Sequence, residues 1–174
     1  MEIDWLSASK TESLRMTGDV NVALEHPERL AVVSVDPVRV EGTAVVRGDV
    51  MSVDATIKAT VIYRCVRCLN SFSDDLAAEL HEKFSRSPVN DEMEADDVTV
   101  TMDPIITLDP YVEQELVLSL WQNPVCREDC KGLCPVCGTD LNVRECGCER
   151  QSIDPRLEVL AQALDLMNND STDD

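Results

Sequence analysis

From Met51 the odd positions read Met51, Val53, Ala55, Ile57, Ala59, Val61, Tyr63 and Cys65, while Ser52, Asp54, Thr56, Lys58, Thr60 and Arg64 fill most of the even ones. Successive strand side chains point to opposite faces, so a period of two over this length predicts one long strand with a buried face and a wet face. Val38 to Arg47 is a second β-rich run, and Gly48-Asp49 between the two suits a two-residue hairpin with φ > 0 at the glycine. An antiparallel hairpin therefore leads directly into Cys65. Ala31 to Val35 predicts a further strand, Thr17 to Leu24 is a candidate to join the sheet, and Val98 to Met102 and Ile105 to Leu108 are short strand candidates. Asp74 to Phe84 fits neither the helical nor the strand period cleanly, and both remain open there.

Asp109-Pro110 and Asp154-Pro155 each place an acid before a proline, the order expected of an N-cap followed by the first helical residue. The first predicts a helix over 109–121 with Val112, Leu116, Val117 and Leu120 on one side. The second carries Leu157, Leu160, Ala161, Leu164 and Met167, a stripe suited to packing rather than ligation. Ser85 to Asp97 is rich in acids and poor in apolar residues and reads as a solvated loop, and residues 168–174 read as an acidic tail. The pattern as a whole predicts an α+β fold: an antiparallel β-sheet or partly open barrel with a few helices and a C-terminal cysteine-rich zinc-knuckle segment. In domain terms, residues 10–125 form the β-rich core with helix 109–121, residues 126–167 the cysteine-rich zinc-binding segment and C-terminal helix, and residues 168–174 the tail.

Six of the eight cysteines fall between positions 126 and 148, as Cys126, Cys130, Cys134, Cys137, Cys146 and Cys148, and the other two form Cys65-Val66-Arg67-Cys68. Thiolates spaced this closely suit a tetrahedral metal better than disulfides. In Cys134-Pro135-Val136-Cys137-Gly138 the glycine permits the positive φ with which a knuckle turns its backbone N–H groups toward sulfur. Cys134, Cys137, Cys146 and Cys148 make the compact set, closed by the loop from Gly138 to Glu145 with Asn142 helping the turn. That leaves Cys65 and Cys68 with Cys126 and Cys130, across a gap of 57 residues that tertiary folding must close. Two closed sets of four thiolates predict two structural zinc ions, although rubredoxin-type iron sites use the same knuckle. A redox-active pair is disfavoured, since Cys65 ends a β-hairpin and lacks the helix N-terminus that lowers a thiol pKa.

Charge narrows the function. The 34 Asp and Glu outnumber the 15 Lys and Arg, giving −19. Such a field opposes sequence-independent nucleic-acid binding, which rests on Lys and Arg, and it suits a basic partner or simple solubility. Arg64, Arg67, Arg127, Lys131, Arg144 and Arg150 nevertheless lie beside the cysteine pairs. They read first as charge compensation for thiolates, and Arg67, Arg127, Lys131 and Arg144 are the candidates for contact with a partner or RNA. His26 and His81 stand apart from the cysteines and read as solvated side chains. There is no Gly-rich phosphate loop or nucleophile elbow, and aromatics at 3% give little for a stacking platform. Neither a signal-like start nor an apolar run of roughly 18 residues is present. The expectation is a cytoplasmic protein with no membrane contact, no small-molecule substrate and no catalytic residues.

Three segments also carry a resemblance: Cys65-Val66-Arg67-Cys68-Leu69; Asp109 to Leu120 leading through Pro124-Val125-Cys126; and Cys130-Lys131-Gly132-Leu133-Cys134-Pro135-Val136-Cys137-Gly138-Thr139-Asp140-Leu141-Asn142, followed by Cys146-Gly147-Cys148 and Asp154-Pro155-Arg156. In order and spacing the chain resembles the YceD family, the large ribosomal RNA subunit accumulation proteins of bacteria and plastids, over roughly residues 10–167. The resemblance implies a non-enzymatic role in the synthesis, processing or stabilisation of large-subunit ribosomal RNA. With the acidity, it points to a basic ribosomal protein or a large-subunit precursor as partner. A direct RNA-binding zinc-knuckle protein and a thiol redox protein are the alternatives.

Overall fold

The computed structural model describes residues 1–87 and 98–149; the acidic stretch 88–97, the predicted helix after Asp154 and the tail lie outside the described residues. The predicted hairpin forms the centre of the fold, as β4 (Val38–Arg47) and β5 (Val50–Arg64). They pair antiparallel from Arg39↔Lys58 to Arg47↔Val50, and Gly48 turns the chain at φ 61°. Gly42 on β4 is required by its neighbour, because a Cβ there would lie 2.5 Å from the Ala55 Cβ and closer still to the Asp54 carbonyl oxygen.

The segment with two possible periods is strand β6 (Ser71–Ser85), paired antiparallel with β5 along its whole length, Val50↔Ser85 to Arg64↔Ser71. Its Leu76-Ala77-Ala78-Glu79-Leu80 run has good helix formers, and fifteen residues of cross-strand pairing override that local preference. β2 (Leu14–Val20) joins the outer edge of β4. It starts and ends earlier than predicted, because Leu14 and Met16 set the inward alternation. β3 (Val32–Val35) begins one residue later than predicted, since Ala31 caps the 3-10 turn Pro27–Leu30 at φ 53°. β3 lies in line with β4 on the same edge of β5, and Asp36-Pro37 separates them, as befits a residue that cannot donate to a ladder.

β7 (Val98–Val100) adds a short parallel pairing to Lys83–Ser85 at the far side. The main sheet therefore runs β2-β4-β5-β6-β7 and stays open rather than closing into a barrel. Two elements escaped the sequence reading: β1 (Glu2–Asp4), which pairs with β8 (Ile105–Thr107), and the short helix α1 (Trp5–Ser9), capped by the Asp4 carboxylate accepting from the Leu6 and Ser7 N–H groups.

These elements cover one face of the sheet. Val38, Val40, Ala44, Met51, Val53, Ile57, Leu80 and Phe84 meet Ile3, Trp5, Ala8, Ile106, Leu108, Val112 and Leu116 in one core, each large side chain stabilising the fold by about 1.5–3 kcal/mol. The last two residues belong to helix α2 (Asp109–Ser119), where Leu108 rather than Asp109 takes the cap position. Asp109 lies instead inside the first turn, where its charge still complements the helix dipole. Val117, placed by periodicity on the packed side, is 39% exposed; the helix meets the sheet along a narrower stripe than four positions would fill. The opposite sheet face is polar, with Arg39 bonded to Asp19 and Glu41, Thr60 to Asp75 and His81 to Asp54.

By its internal packing the chain divides after Cys130 into two units. Cys126 and Cys130 thus belong to the unit that carries the sheet. Among the described residues no helix is long and apolar enough to cross a membrane.

Candidate metal centres

The buried face of β5 continues without a break from the core through Val61 and Tyr63 to Cys65. Cys65 to Asn70 form the connection into β6. The Cys65 N–H donates to the Asn70 carbonyl at 2.9 Å, and the Leu69 N–H donates back to the Cys65 carbonyl at 2.9 Å. This knuckle forces Leu69 to φ 61°.

The other half arrives from α2. At Leu120 the backbone becomes extended, and the buried Tyr63 hydroxyl accepts the Trp121 N–H at 3.3 Å, with the two rings stacked. The Pro124 carbonyl then takes the Val66 N–H at 3.0 Å. These contacts deliver Cys126 and Cys130 to the knuckle. Sequence reasoning used Tyr63 only as a core position. The available signal was its hydroxyl, since a buried phenol needs a partner.

The eight sulfurs fall into two quartets, Cys65, Cys68, Cys126 and Cys130, and Cys134, Cys137, Cys146 and Cys148, the same partition the spacing favours. Within each, the sulfurs lie within 4.8 Å of one another, so each quartet could hold a metal ion. In the first, Cys65 Sγ lies 3.9 Å from Cys130 Sγ and Cys68 Sγ 3.7 Å from Cys126 Sγ. A tetrahedron with metal–sulfur bonds of about 2.3 Å has edges of about 3.8 Å, so the donor set fits. All eight cysteines are free thiols, and the separations are far from the roughly 2.05 Å of a disulfide.

The second knuckle repeats the first. The Cys134 N–H donates to the Thr139 carbonyl at 2.8 Å, the Gly138 N–H to the Cys134 carbonyl at 2.8 Å, and Gly138 stands at φ 70°. Asn142 ties the loop together, its Oδ1 accepting the Lys131 N–H at 2.8 Å and its own N–H donating to Asp140 at 2.9 Å.

The thiols of each quartet are pushed apart in acidity. Burial raises Cys65, but the N–H groups of Cys126, Cys68 and Arg67 outweigh it and bring the thiol down to about 6. Burial, then the neighbouring Cys68 and Cys65 thiols, pushes Cys126 up to about 12. In the second quartet the Thr139 hydroxyl and N–H lower Cys137 to about 6, and Cys137 in turn pushes Cys148 up to about 12. One thiolate is thus stabilised by donors, and its charge holds the next as a thiol. A bound dication reverses that repulsion and releases the remaining protons.

The cations divide by role. Arg67 donates to the Glu128 and Cys130 carbonyls at 3.1 and 3.2 Å, clamping one cysteine pair to the other. Arg127 pairs with Asp129 at 3.3 Å. Lys131 and Arg144 are exposed, the Arg144 backbone N–H being held by the Asp140 carbonyl at 3.2 Å. His26 and His81 are exposed and lie outside both quartets, paired with Glu28 and Asp54 respectively.

An open sheet whose β5–β6 connection carries one cysteine-knuckle quartet, followed along the chain by a second quartet, defines a β-sheet protein of the cysteine-knuckle class, each quartet of which could hold a metal ion. The model of one family, described as large ribosomal RNA subunit accumulation protein YceD, matches residues 53–163, and the chain belongs to that family. An uncharacterised protein of Mycobacterium tuberculosis is 35% identical over 114 residues, 64% of this chain and 55% of the relative. The chain therefore spans about half the length of the mycobacterial relatives it matches. The uncharacterised protein YlbN of Bacillus subtilis is 30% identical over 131 residues, 75% of this chain and 76% of the relative. The chloroplastic YCED homolog 1 of Arabidopsis thaliana, named a large ribosomal RNA subunit accumulation protein, is 25% identical over 170 residues, 81% of this chain and 50% of the relative. No solved structure matches the chain.

Proposed function

We propose that this protein is a non-enzymatic ribosome-biogenesis factor that supports accumulation of large-subunit ribosomal RNA in the cytoplasm. It acts as a scaffold, organised by two structural zinc ions, for a basic ribosomal protein or a large-subunit precursor, and takes no small-molecule substrate. The observation that carries this reading is the family match across residues 53–163, which spans both quartets. Four-thiolate sites offer no open position to a reactant, which supports a structural rather than a Lewis-acid role. The net charge of −19 supports a basic partner over bare RNA. Depletion is expected to lower the ratio of large- to small-subunit ribosomal RNA, and re-expression of the wild-type chain to restore it; an unchanged ratio would contradict the proposal.

The exposed cations beside the cysteines, Arg127, Lys131 and Arg144, favour a second reading, direct contact with large-subunit RNA. It predicts an affinity that falls steeply with salt, with a slope reduced by about one for each phosphate-contacting cation replaced.

A further inference from the structure

β4 and β5 are paired on both sides, whereas β6 is paired along its outer side only at Lys83–Ser85, by β7. Among the described residues no strand covers Ser71 to Glu82 on that side. This leaves a row of outward N–H and C=O groups about 40 Å long, at roughly 3.3 Å per residue, which is a template for an added strand. At the opposite end of the sheet, β2 has seven residues and carries both Arg15 and Asp19. The β6 edge is predominantly acidic: Ser71 to Glu82 holds Asp74, Asp75, Glu79 and Glu82 and no lysine or arginine, and its one histidine, His81, is paired with Asp54.

Alternation distributes these acids over both faces. Asp74 and Glu82 share the inward face with Phe72, Leu76, Ala78 and Leu80, while Asp75 and Glu79 lie on the wet face. A second copy of the chain would bring acid against acid, and like charges directly opposite across a strand pair are destabilising. A strand bearing Lys or Arg among small apolar residues would meet opposite charge on both faces and prolong the partly buried Leu76 and Ala78 surface.

We propose that the β6 edge from Ser71 to Glu82 receives an extended, lysine- or arginine-bearing segment of a protein partner, which joins the sheet as an added strand. The inference rests on the proposed function for the class of partner, and it assigns the surface that engages it. RNA offers no matching ladder of amides and carbonyls, and its phosphates are repelled by this edge.

The test mixes the full-length, metal-loaded protein with the proteins of a purified large ribosomal subunit stripped of RNA, near physiological salt, and maps amide exchange in the complex. The wild-type chain is expected to retain a basic subunit protein, with exchange across residues 72–80 slowed at least tenfold. Asp75→Lys/Glu79→Lys should retain at least tenfold less. Glu12→Lys/Glu25→Lys, with the same charge change away from β6, should bind as wild type. All four positions are exposed, and unchanged circular dichroism and metal content check folding. Equal retention by both double variants, or retention without slowed exchange at 72–80, would overturn the edge assignment and leave the proposed function standing. Failure of the wild-type chain to retain any subunit protein, while it binds the stripped RNA, would overturn both the edge and the protein-partner reading.

Discussion

Leu69 and Gly138 hold the same position in two knuckles of one design, at φ 61° and 70°. The glycine was legible in the sequence because it advertises that conformation. The leucine was not, because a Cβ at positive φ costs roughly 1–2 kcal/mol and runs against propensity. Leu69 is 57% exposed, so little packing offsets the strain. Leu69→Gly is expected to leave the denaturation midpoint unchanged or higher, whereas the β-branched Leu69→Val should lower stability by about 1 kcal/mol or more. Arg67 shows the same limit of sequence reasoning: its position beside a cysteine suggested charge compensation or an outward contact, and only the folded turn aims it at two backbone carbonyls. His81 adds a pH dependence. Its hydrogen bond to Asp54 raises its pKa, so its contribution is present below the unfolded value near 6.5 and fades as pH rises through the higher folded value. The stability difference between wild type and His81→Gln, measured by urea denaturation, should accordingly be larger at pH 5.5 than at pH 8.5, and small at both, because His81 and Asp54 are both exposed to solvent.

At the scale of elements, the long hairpin was legible because β5 obeys a period of two for its whole length. β6 was ambiguous because its helix-forming centre becomes a strand only through pairing with β5. β1 and α1 were missed because their apolar residues, Ile3, Trp5 and Ala8, are too few to establish a period and take their place from the core they cover. Gly42 lies in the middle of the β4–β5 ladder, directly opposite Ala55. Gly42→Ala should lower stability by about 1–3 kcal/mol as overpacking against backbone, read from the shift in denaturant midpoint. The first quartet joins a strand connection to the segment leaving α2, two elements of unequal support. Chelation should therefore speed amide exchange first across Trp121 to Cys130, held by a few turn contacts, while the paired centre of β4 and β5 stays protected.

Over the whole molecule, two cysteine quartets sit in a chain whose net charge is −19. The short spacing from Cys134 to Cys148 made one quartet legible as a unit. The other was reached only by elimination, because its halves are 57 residues apart and are joined by the Tyr63–Trp121 and Val66–Pro124 contacts that no spacing encodes. The proposed function requires two separate metal centres, and structural zinc sites of this kind bind with about 10–16 kcal/mol of apparent free energy. Elemental analysis of protein purified under reducing conditions tests it most directly, on the wild-type chain, Cys130→Ser and Cys148→Ser. Two zinc ions per wild-type chain and one in each variant are expected. No tightly bound metal in the reduced wild-type protein, or the loss of both ions in each variant, would contradict it.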